Sequence, residues 1–268
     1  MYKETIASAP WMRAADRLVA ARETSIPAER FPEFCRPTSL TAALLIQHYV
    51  GMRIDAWVGG WKSSVPGPMG ATAPLFVSTI YRDSPCPVRT SDGSAHIEPE
   101  IAFILGRDLT PRTAPYSDDE VCDAVGEIRL SLELIGSRYA KPAEASFPEL
   151  LADNLSNQGV FLGPAVAASP RAVPSAIPIT LEGPEGLLMV VAGGHPEGNP
   201  FAALVRLTQA LRQRGEAMRA GQVIITGSFA GVLKVPVDND LRIGFGELGT
   251  LRVEFSAMTI REGDGVSK

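Results

Sequence analysis

The sequence predicts an α+β protein, in which a helical N-terminal part is followed by a β-rich core. Two observations support this prediction. Residues 1–55 contain two segments with apolar side chains at helical spacing, whereas the later apolar runs are mostly short and separated by turns. The 268 residues include 25 Gly and 22 Pro, spread along the chain, which favours many short elements over a helical bundle. We therefore expect a helical segment at 1–55 that packs on one core at 56–260, with a tail at 261–268.

Five stretches carry helix signals. In the N-terminal part, apolar residues recur at helical spacing, and Ser39 or Thr38 caps the second helix, which Gly51 is expected to end. Further on, Ser117 begins a capping-box pattern, and Asn199 precedes a proline as an N-cap precedes the first helical residue. The predicted helices cover residues 11–23, 39–50, 117–126, 147–153 and 199–214.

Residues 127–135 give the clearest strand signal, because apolar and polar side chains alternate there. The even positions from Ile128 to Leu134 face one side and the odd positions from Glu127 to Glu133 the other, which predicts a half-buried strand. The stretch from Ser63 to Pro74, rich in Gly, Pro and Ser, is expected to be a long loop. Further predicted strands cover 75–81, 101–105, 160–162, 176–182, 187–192, 223–226, 241–245 and 251–255.

Composition excludes several classes of protein. A net charge of −5 disfavours a general nucleic-acid binder, which usually carries a basic patch. The three cysteines, Cys35, Cys86 and Cys122, form no CxxC pair and predict neither a zinc ribbon nor a disulfide framework. We expect reduced thiols in a cytoplasmic protein, since neither a signal-peptide pattern nor a membrane-length apolar run occurs. Phosphate-loop, dinucleotide-binding, HExxH and GxSxG motifs are absent from the sequence.

Glu98 and Glu100 are the first candidates for residues of a functional site. They flank Pro99 and lead into the apolar run 101–105, which Gly106 closes and which predicts a buried strand. Residues i and i+2 of a strand face the same side, so the two carboxylates are expected to lie together. Two such charges at the mouth of a core repel each other unless one is protonated or a cation lies between them.

Glu133 is the candidate for a third carboxylate. The alternation of its strand places Glu133 beside Glu98 and Glu100 if the two strands are neighbours. Three carboxylates without a Cys or His cluster suit a hard cation such as Mg²⁺ or Mn²⁺, with positions left for water or substrate. From periodicity alone, solvated surface carboxylates remain the alternative.

Several phrases together resemble one group of proteins, the hydratases and decarboxylases of the fumarylacetoacetate hydrolase superfamily, which includes the 2-keto-4-pentenoate hydratases. These phrases occur in the order of that group and span nearly the whole chain. They are Gly60-Trp61-Lys62, the run from Glu98 to Leu109, Glu133 to Arg138, Ala152-Asp153-Asn154, Ala220-Gly221, Thr226-Gly227-Ser228, and the ending from Gly246 to Phe255.

The resemblance implies a β-rich mixed roll or barrel with an N-terminal helical region, and a cofactor, Mg²⁺ or Mn²⁺, bound by Glu98, Glu100 and Glu133. It implies that Lys62 takes part in proton transfer or holds the substrate carboxylate, and that Ser156 contacts that carboxylate. A solvated lysine at a strand end is the alternative for Lys62. A Lys near the dication is expected to have a lowered pKa, because it is partly desolvated.

Arg138 and Asp153 allow two interpretations each. Arg138 can bind a substrate carboxylate through two hydrogen bonds, and a structural ion pair is the alternative. Asp153 can form a hydrogen bond that orients a metal ligand, or it can simply end a helix.

The expected activity is that of a metal-dependent hydro-lyase. The resemblance implies hydration of a 2-hydroxy-2,4-dienoate to a 4-hydroxy-2-oxo acid in the breakdown of aromatic compounds, by a homo-oligomer that binds neither nucleic acid nor membrane. The enzymatic alternatives are decarboxylation of a 4-oxalocrotonate-like diacid and C–C hydrolysis of an acylpyruvate. A non-catalytic homologue that binds the metal or a ligand is the alternative from another class, because Ser63-Ser64-Val65-Pro66 departs from the usual pattern after the lysine.

Overall fold

The computed structural model describes residues 9–63, 71–90 and 93–258 and confirms the predicted mixed α+β class. The helices are α1 (Pro10–Thr24), α2 (Leu40–Arg53), α3 (Asp118–Ala124), α4 (Phe147–Ala152) and α5 (Pro200–Gln213). The first strands are β1 (Val58–Ser63), β2 (Thr72–Phe76), β3 (Ile80–Tyr81), β4 (Cys86–Val88), β5 (Ser94–Leu105), β6 (Val125–Ile135) and β7 (Asn157–Ala165). The remaining strands are β8 (Ile179–Gly183), β9 (Gly186–Val191), β10 (Val223–Ile225), β11 (Leu233–Pro236), β12 (Asp240–Phe245) and β13 (Thr250–Ala257). None of the helices in these ranges is long and apolar enough to span a membrane.

The described chain divides into two compact units. One unit comprises 9–57, 136–157 and residue 258, and the other comprises 58–135 and 158–257. The predicted boundary near residue 55 did not anticipate that 136–157 groups with the N-terminal helices. The predicted tail at 261–268 lies outside the described residues.

In the first unit, α2 packs against both α1 and α4. Small and aliphatic side chains form its interior, among them Ala14, Leu18, Ala43, Ile46 and Leu151. The predicted cap is present, because Ser39 accepts a hydrogen bond from the backbone N–H of Ala42. The predicted stop at Gly51 was wrong: the helix continues through it to Arg53.

Two predictions about strands and loops also need correction. Thr72–Pro74, expected in a loop, belongs to β2, where Thr72 pairs with Ser63. The single strand expected at 75–81 is divided by a 3-10 turn at Val77–Thr79. The first error arose because the Gly and Pro residues next to β2 indicate a loop when read from the sequence alone. The part of that expected loop at 64–70 lies outside the described residues.

The second unit contains a barrel-like sheet in the order β2-β1-β10-β5-β6-β7-β3, with β11 paired to β5 as well. Its two ends approach each other, since a Cβ on Gly59 of β1 would lie 2.7 Å from the Ile80 side chain of β3. A second sheet has the order β4-β13-β12-β8-β9. The main hydrophobic core draws residues from both sheets and from α5, including Phe103, Leu132, Leu204 and Phe245.

The even positions of β6 face this core, as predicted, since Leu130, Leu132 and Leu134 are fully buried. The odd positions face the inside of the barrel-like sheet, together with one set of residues of β5. A smaller apolar cluster lies on that inner face and includes Leu75, Ala102, Val160 and Ile225. The inner face is therefore enclosed by the curved sheet, and polar side chains on it are shielded from water.

Candidate metal centre

The structure brings Glu98, Glu100 and Glu133 together on the inner face of the barrel-like sheet. β5 and β6 pair antiparallel, with Glu98 opposite Glu133 and Glu100 opposite Ser131. One carboxylate oxygen from each glutamate lies within 4.8 Å of the others. Among the described residues, this is the one group of three or more His, Cys, Asp or Glu side chains close enough to hold a metal ion.

Glu98 and Glu100 occupy a gap between two strands that pair with the same edge of β5. β11 pairs with residues 94–97, and β10 pairs with residues 102–104. Opposite the gap, the chain from β10 to β11 turns away, and the N–H of Phe229 donates to the Pro99 carbonyl at 2.9 Å. Because Pro99 has no N–H, it leaves no unpaired donor in the gap. The Glu-Pro-Glu sequence therefore suits a place where the sheet is interrupted.

Gly227, in the turn after β10, holds one of the carboxylates. Its N–H donates to Glu100 Oε2 at 2.7 Å. Its φ of 146° lies in the region that favours glycine, and a Cβ there would lie 2.7 Å from Pro196 Cγ. The residue that points its N–H at Glu100 therefore has to be glycine.

The turn is fixed on two further sides. Ser63 Oγ donates to the Thr226 carbonyl at 3.3 Å, and the buried His195 Nε2 lies 3.3 Å from Thr226 Oγ1. The N–H of Glu197 donates to His195 Nδ1 at 3.2 Å, so Nε2 carries the proton of the neutral ring and donates to the threonine hydroxyl. Burial lowers the pKa of His195, which keeps this neutral form. These contacts hold the Gly227 N–H in place.

Lys62 of β1 reaches the same cluster. Its side chain is 6% exposed, and Nζ donates a hydrogen bond to Glu133 Oε1. Gly60 allows β1 to lie close to β10, because a Cβ at that position would lie 2.0 Å from the Val223 carbonyl oxygen. A solvated strand-end lysine, the alternative considered for Lys62, does not fit this burial. A solvated surface position likewise does not fit Glu100 or Glu133, which are 2% and 1% exposed.

The three carboxylates carry more negative charge than Lys62 can offset. Burial, together with the charge of Glu133, raises the pKa of Glu98 to about 7. Burial and the charges of Glu133 and Glu98 raise the pKa of Glu100 well above its usual value. The cluster therefore holds protons at neutral pH when no cation is present, which is the expected state of crowded, buried carboxylates.

The expected pKa of Lys62 needs a correction for the metal-free protein. Burial lowers it, but the charges of Glu133, Glu98 and Glu100 and the hydrogen bond to Glu133 together raise it above the usual value. The expectation of a lowered pKa assumed a dication beside the lysine. Without one, the carboxylates outweigh desolvation and keep Lys62 charged.

The donor set fits a hard divalent cation. It consists of carboxylate oxygens, the ligands that Mg²⁺ and Mn²⁺ prefer. The crowded negative charge of the glutamates would be relieved by a cation between them. On the inner face of the same sheet, the apolar cluster that includes Leu75 and Ile225 supplies a surface of low polarity.

Arg138 and Asp153 lie in the other unit and bind each other. The Arg138 side chain is 1% exposed and donates to Asp153 through Nε, to Asp153 again through its backbone N–H at 2.9 Å, and to the Asn157 carbonyl at 2.7 Å. This is the structural ion pair that the sequence left as an alternative. Asp153 also accepts a hydrogen bond from Ser137 at 3.3 Å, so it does more than end α4.

Ser156 ends an unusual turn in the same unit. Asn154, Leu155 and Ser156 have φ values of 53°, 55° and 60°, which makes three consecutive non-glycine residues left-handed. Each such residue costs about 1–3 kcal/mol, and such strain concentrates at functional sites. The Ser156 carbonyl accepts a hydrogen bond from the Gly136 N–H at 2.8 Å, which anchors the turn to the chain that leaves β6.

The residues that hold the carboxylates could not be identified from the sequence. Gly227 stands out there only within the Thr-Gly-Ser phrase, and no pattern assigns a role to His195 or Thr226. A glycine between two polar residues directly after a short apolar strand was the available signal. It indicated a turn, but which carboxylate the turn faces depends on strand pairing that the sequence does not reveal.

Comparisons with known proteins agree with the sequence resemblance, although no protein-family model matches the chain. The chain is 31% identical over 162 residues to a 2-keto-4-pentenoate hydratase of Paraburkholderia xenovorans LB400, covering 60% of this chain and 59% of that protein. It is 28% identical over 155 residues to a 4-oxalocrotonate decarboxylase of Pseudomonas sp., covering 58% of each chain. The matched region thus spans less than two thirds of these relatives.

The fold matches a solved structure over nearly its whole length. The structure of the 4-oxalocrotonate decarboxylase from Pseudomonas putida G7, complexed with magnesium and adipate, covers 92% of this chain and 97% of its own, with a TM-score of 0.72 and 20% identity. This match confirms the expected fold. Together, the comparisons confirm the resemblance to the hydratase and decarboxylase group.

Proposed function

We propose that this protein is a metal-dependent hydro-lyase that adds water to a 2-hydroxy-2,4-dienoate and yields a 4-hydroxy-2-oxo acid. The observation that carries the proposal is the cluster of Glu98, Glu100 and Glu133, with oxygens within 4.8 Å of one another and a buried lysine bound to one of them. The similarity to 2-keto-4-pentenoate hydratases supports the choice of reaction.

The three glutamates would hold Mg²⁺ or Mn²⁺. When bound, the dication supplies Lewis-acid polarisation of the oxygen at C2 of the substrate. The Gly227 N–H holds Glu100 in place, and Ser131 Oγ donates to the Glu100 carbonyl at 3.0 Å, which fixes the backbone of β5 beside it. These contacts set the position of the ligand oxygens before a substrate arrives.

Lys62 is the proposed acid–base residue. The carboxylates around it keep it charged in the metal-free protein. Neutralising their charge with a dication would leave burial as the dominant influence on the pKa of Lys62, and burial lowers it. Lys62 could then deliver a proton to the dienol carbon chain and recover one from water, or hold the substrate carboxylate.

Ser156 is proposed to contact the substrate carboxylate, as the resemblance implies. The strain of the turn from Asn154 to Ser156 supports a functional role for this segment. Arg138 has most of its donors bound to Asp153, Gly136 and Asn157, so we propose that it shapes this turn rather than binds substrate itself. Asp153 is proposed to act in the same way, by holding Arg138.

The test is the metal-dependent loss of dienol absorbance with 2-hydroxypenta-2,4-dienoate. We expect turnover with Mg²⁺ or Mn²⁺, none after chelation, and a loss of at least ~100-fold in Glu100→Gln because a ligand charge is removed. Glu127→Gln is the matched control, since Glu127 lies on the same face of β6 as Glu133 but is partly exposed. Wild-type protein that binds metal yet leaves every dienol and 2-oxo acid unchanged would contradict the proposal and indicate a non-catalytic homologue.

Decarboxylation of a 4-oxalocrotonate-like diacid is the second candidate, because a 4-oxalocrotonate decarboxylase is among the similar sequences. Product analysis separates the activities. A 4-hydroxy-2-oxo acid marks hydration and carbon dioxide marks decarboxylation, while pyruvate or oxalate marks hydrolysis of an acylpyruvate.

A further inference from the structure

The loop between β9 and α5 packs against the turn that follows β10, at residues 226–229. The Gly194 N–H donates to the Phe229 carbonyl at 2.9 Å, and the His195 and Phe229 rings pack edge to face with their centroids 5.6 Å apart. His195 Nε2 lies 3.3 Å from Thr226 Oγ1. The loop therefore contacts this turn at both of its ends.

The same turn makes two hydrogen bonds to the Glu-Pro-Glu segment of β5. The Gly227 N–H donates to Glu100 Oε2 at 2.7 Å, and the Phe229 N–H donates to the Pro99 carbonyl at 2.9 Å. The two donors are only two residues apart, so a displacement of the turn would disturb both bonds. The position of the Glu100 carboxylate therefore depends on the position of the turn.

Other contacts of the loop hold His195 in place. Its N–H donates to the Ser175 carbonyl at 2.7 Å, and the Ile177 N–H donates to the Gly193 carbonyl at 3.1 Å. Gly193 permits this close approach, because a Cβ there would lie 2.1 Å from the Ile177 carbonyl oxygen. The N–H of Glu197 donates to His195 Nδ1 at 3.2 Å. These contacts fix the ring and leave Nε2 directed at the turn.

The imidazole of His195 contributes a hydrogen-bond donor that an apolar side chain lacks. His195 is 5% exposed, and burying a polar ring costs free energy unless its nitrogens are hydrogen-bonded. An apolar side chain of similar size would pack against Phe229 without that cost. The feature specific to histidine is the Nε2 donor, which the Thr226 hydroxyl accepts.

We propose that His195 is a positioning residue for Glu100 and acts through Thr226 and Gly227. Its Nε2–H fixes the Thr226 side chain, Thr226 belongs to the peptide that carries the Gly227 N–H, and that N–H holds one ligand oxygen. Because Glu100 is a metal ligand only under the proposed function, this role of His195 rests on that function. Loss of the donor should weaken metal binding although the three glutamates and Lys62 are intact.

The experiment compares His195→Gln with His195→Met by isothermal titration calorimetry of the full-length protein with Mn²⁺. Glutamine supplies an amide N–H in place of Nε2–H, whereas methionine supplies no donor. Both side chains are unbranched and lack the ring, so the two variants form a matched pair. We expect the Mn²⁺ dissociation constant of His195→Met to be at least ~10-fold higher than that of wild type. His195→Gln should recover most of this loss.

Thr226→Val tests the route of the effect and replaces the His195 variants if they do not fold. Valine has nearly the shape of threonine but no hydroxyl, so Thr226→Val should weaken Mn²⁺ binding as His195→Met does. The double variant should bind no more weakly than either single variant, because both changes remove the same hydrogen bond. Thr226→Ser keeps the hydroxyl and should retain most of the affinity. Additive losses in the double variant would contradict the proposed route.

Hydrogen exchange of the Gly227 amide tests the role of His195 independently of the proposed function. Measured by NMR on metal-free protein that is isotope-labelled at its glycines, it reports the hydrogen bond to Glu100 without metal or substrate. We expect faster exchange in His195→Met than in wild type or His195→Gln.

The outcomes for the two proposals differ. Wild type that binds Mn²⁺ but turns over no dienol would contradict the proposed function, whereas the exchange of the Gly227 amide still decides the role of His195. That role is overturned if His195→Met matches wild type in both Gly227 exchange and Mn²⁺ affinity. A lower free energy of unfolding with unchanged Mn²⁺ affinity would likewise reduce His195 to a core residue.

Discussion

Single residues determine how the candidate metal centre responds to pH. Glu98 and Glu100 have raised pKa values because they are buried beside other carboxylates. In the unfolded chain both carboxyl groups have a pKa near 4.5. The free energy of unfolding of the metal-free protein therefore falls as the pH rises from 4.5 through about 7, the pKa of Glu98 in the folded protein. A bound dication reverses this preference, because it needs the ionised forms.

Metal affinity should therefore rise with pH. Below about pH 7, the pKa of Glu98, we expect the metal dissociation constant to rise about tenfold per pH unit for each proton displaced. Isothermal titration calorimetry with Mn²⁺ in two buffers of different ionisation enthalpy measures both the affinity and the protons released. An affinity that does not change between pH 6 and pH 8, with no proton release, would contradict the raised pKa values.

Gly227 offers a second test at this scale. Gly227→Ala combines an unfavourable φ with a contact of 2.7 Å to Pro196 Cγ, so the turn must shift and the N–H that binds Glu100 must move. We expect a loss of about 1–3 kcal/mol in the free energy of unfolding, and weaker Mn²⁺ binding. Gly231→Ala is the control, since Gly231 also has a positive φ but nothing within 4 Å of its Cβ position. Equal Mn²⁺ affinities in the two variants would argue against a role of the turn in holding Glu100.

At the scale of elements, β5 organises the centre because three strands meet along it. β6 pairs continuously with β5 from His96 to Ile104, whereas β10 and β11 share the other edge and leave the Glu-Pro-Glu segment between them. This arrangement places two carboxylates in a buried sheet at a gap in one hydrogen-bond ladder, where Pro99 has no N–H to leave unpaired, while the ladder with β6 continues past them. The apolar run that follows Glu100 is buried on both faces, because one face belongs to the main core and the other to the smaller apolar cluster.

α5 depends on its N-terminal cap. The Asn199 side chain accepts hydrogen bonds from the N–H groups of Phe201 and Ala202 at 3.0 and 3.1 Å, and the helix buries Leu204, Leu207 and Leu211 in the main core. Asn199→Ala should lower the free energy of unfolding by about 1 kcal/mol, as measured by urea denaturation. Asn199→Asp keeps an acceptor and should lose much less. Equal losses in both variants would show that the cap contributes little.

Across the whole molecule, the sequence predicts helix caps and single strands better than it predicts which strands pair with each other. The capping residues Ser39, Ser117 and Asn199 act as predicted because a cap depends only on neighbours in the chain. The alternation at 127–135 predicted the strand but left open whether Glu133 is solvated; Glu133 is buried, because the sheet curves and encloses its polar face. Periodicity reports which side chains share a face, and it cannot report whether that face is open to water.

Long-range geometry explains the remaining differences. The grouping of 136–157 with the N-terminal helices and the pairing of β11 with β5 join segments far apart in sequence. The two short strands β4 and β11 were missed because three or four residues carry too little periodicity to detect. The three glutamates could be named from the sequence because two lie in one strand, while the alternation at 127–135 and the resemblance to the hydratase and decarboxylase group indicate the third.

A crystal structure of the Mn²⁺-loaded protein, with anomalous data that locate the metal, tests the three-glutamate site. We expect one strong anomalous peak per chain, bound by carboxylate oxygens of Glu98, Glu100 and Glu133, and no such peak in Glu133→Gln crystals prepared in the same way. Glu127→Gln crystals should retain the peak. Mn²⁺ bound elsewhere in the wild type, or no peak between these three glutamates at saturating Mn²⁺, would contradict the three-glutamate site.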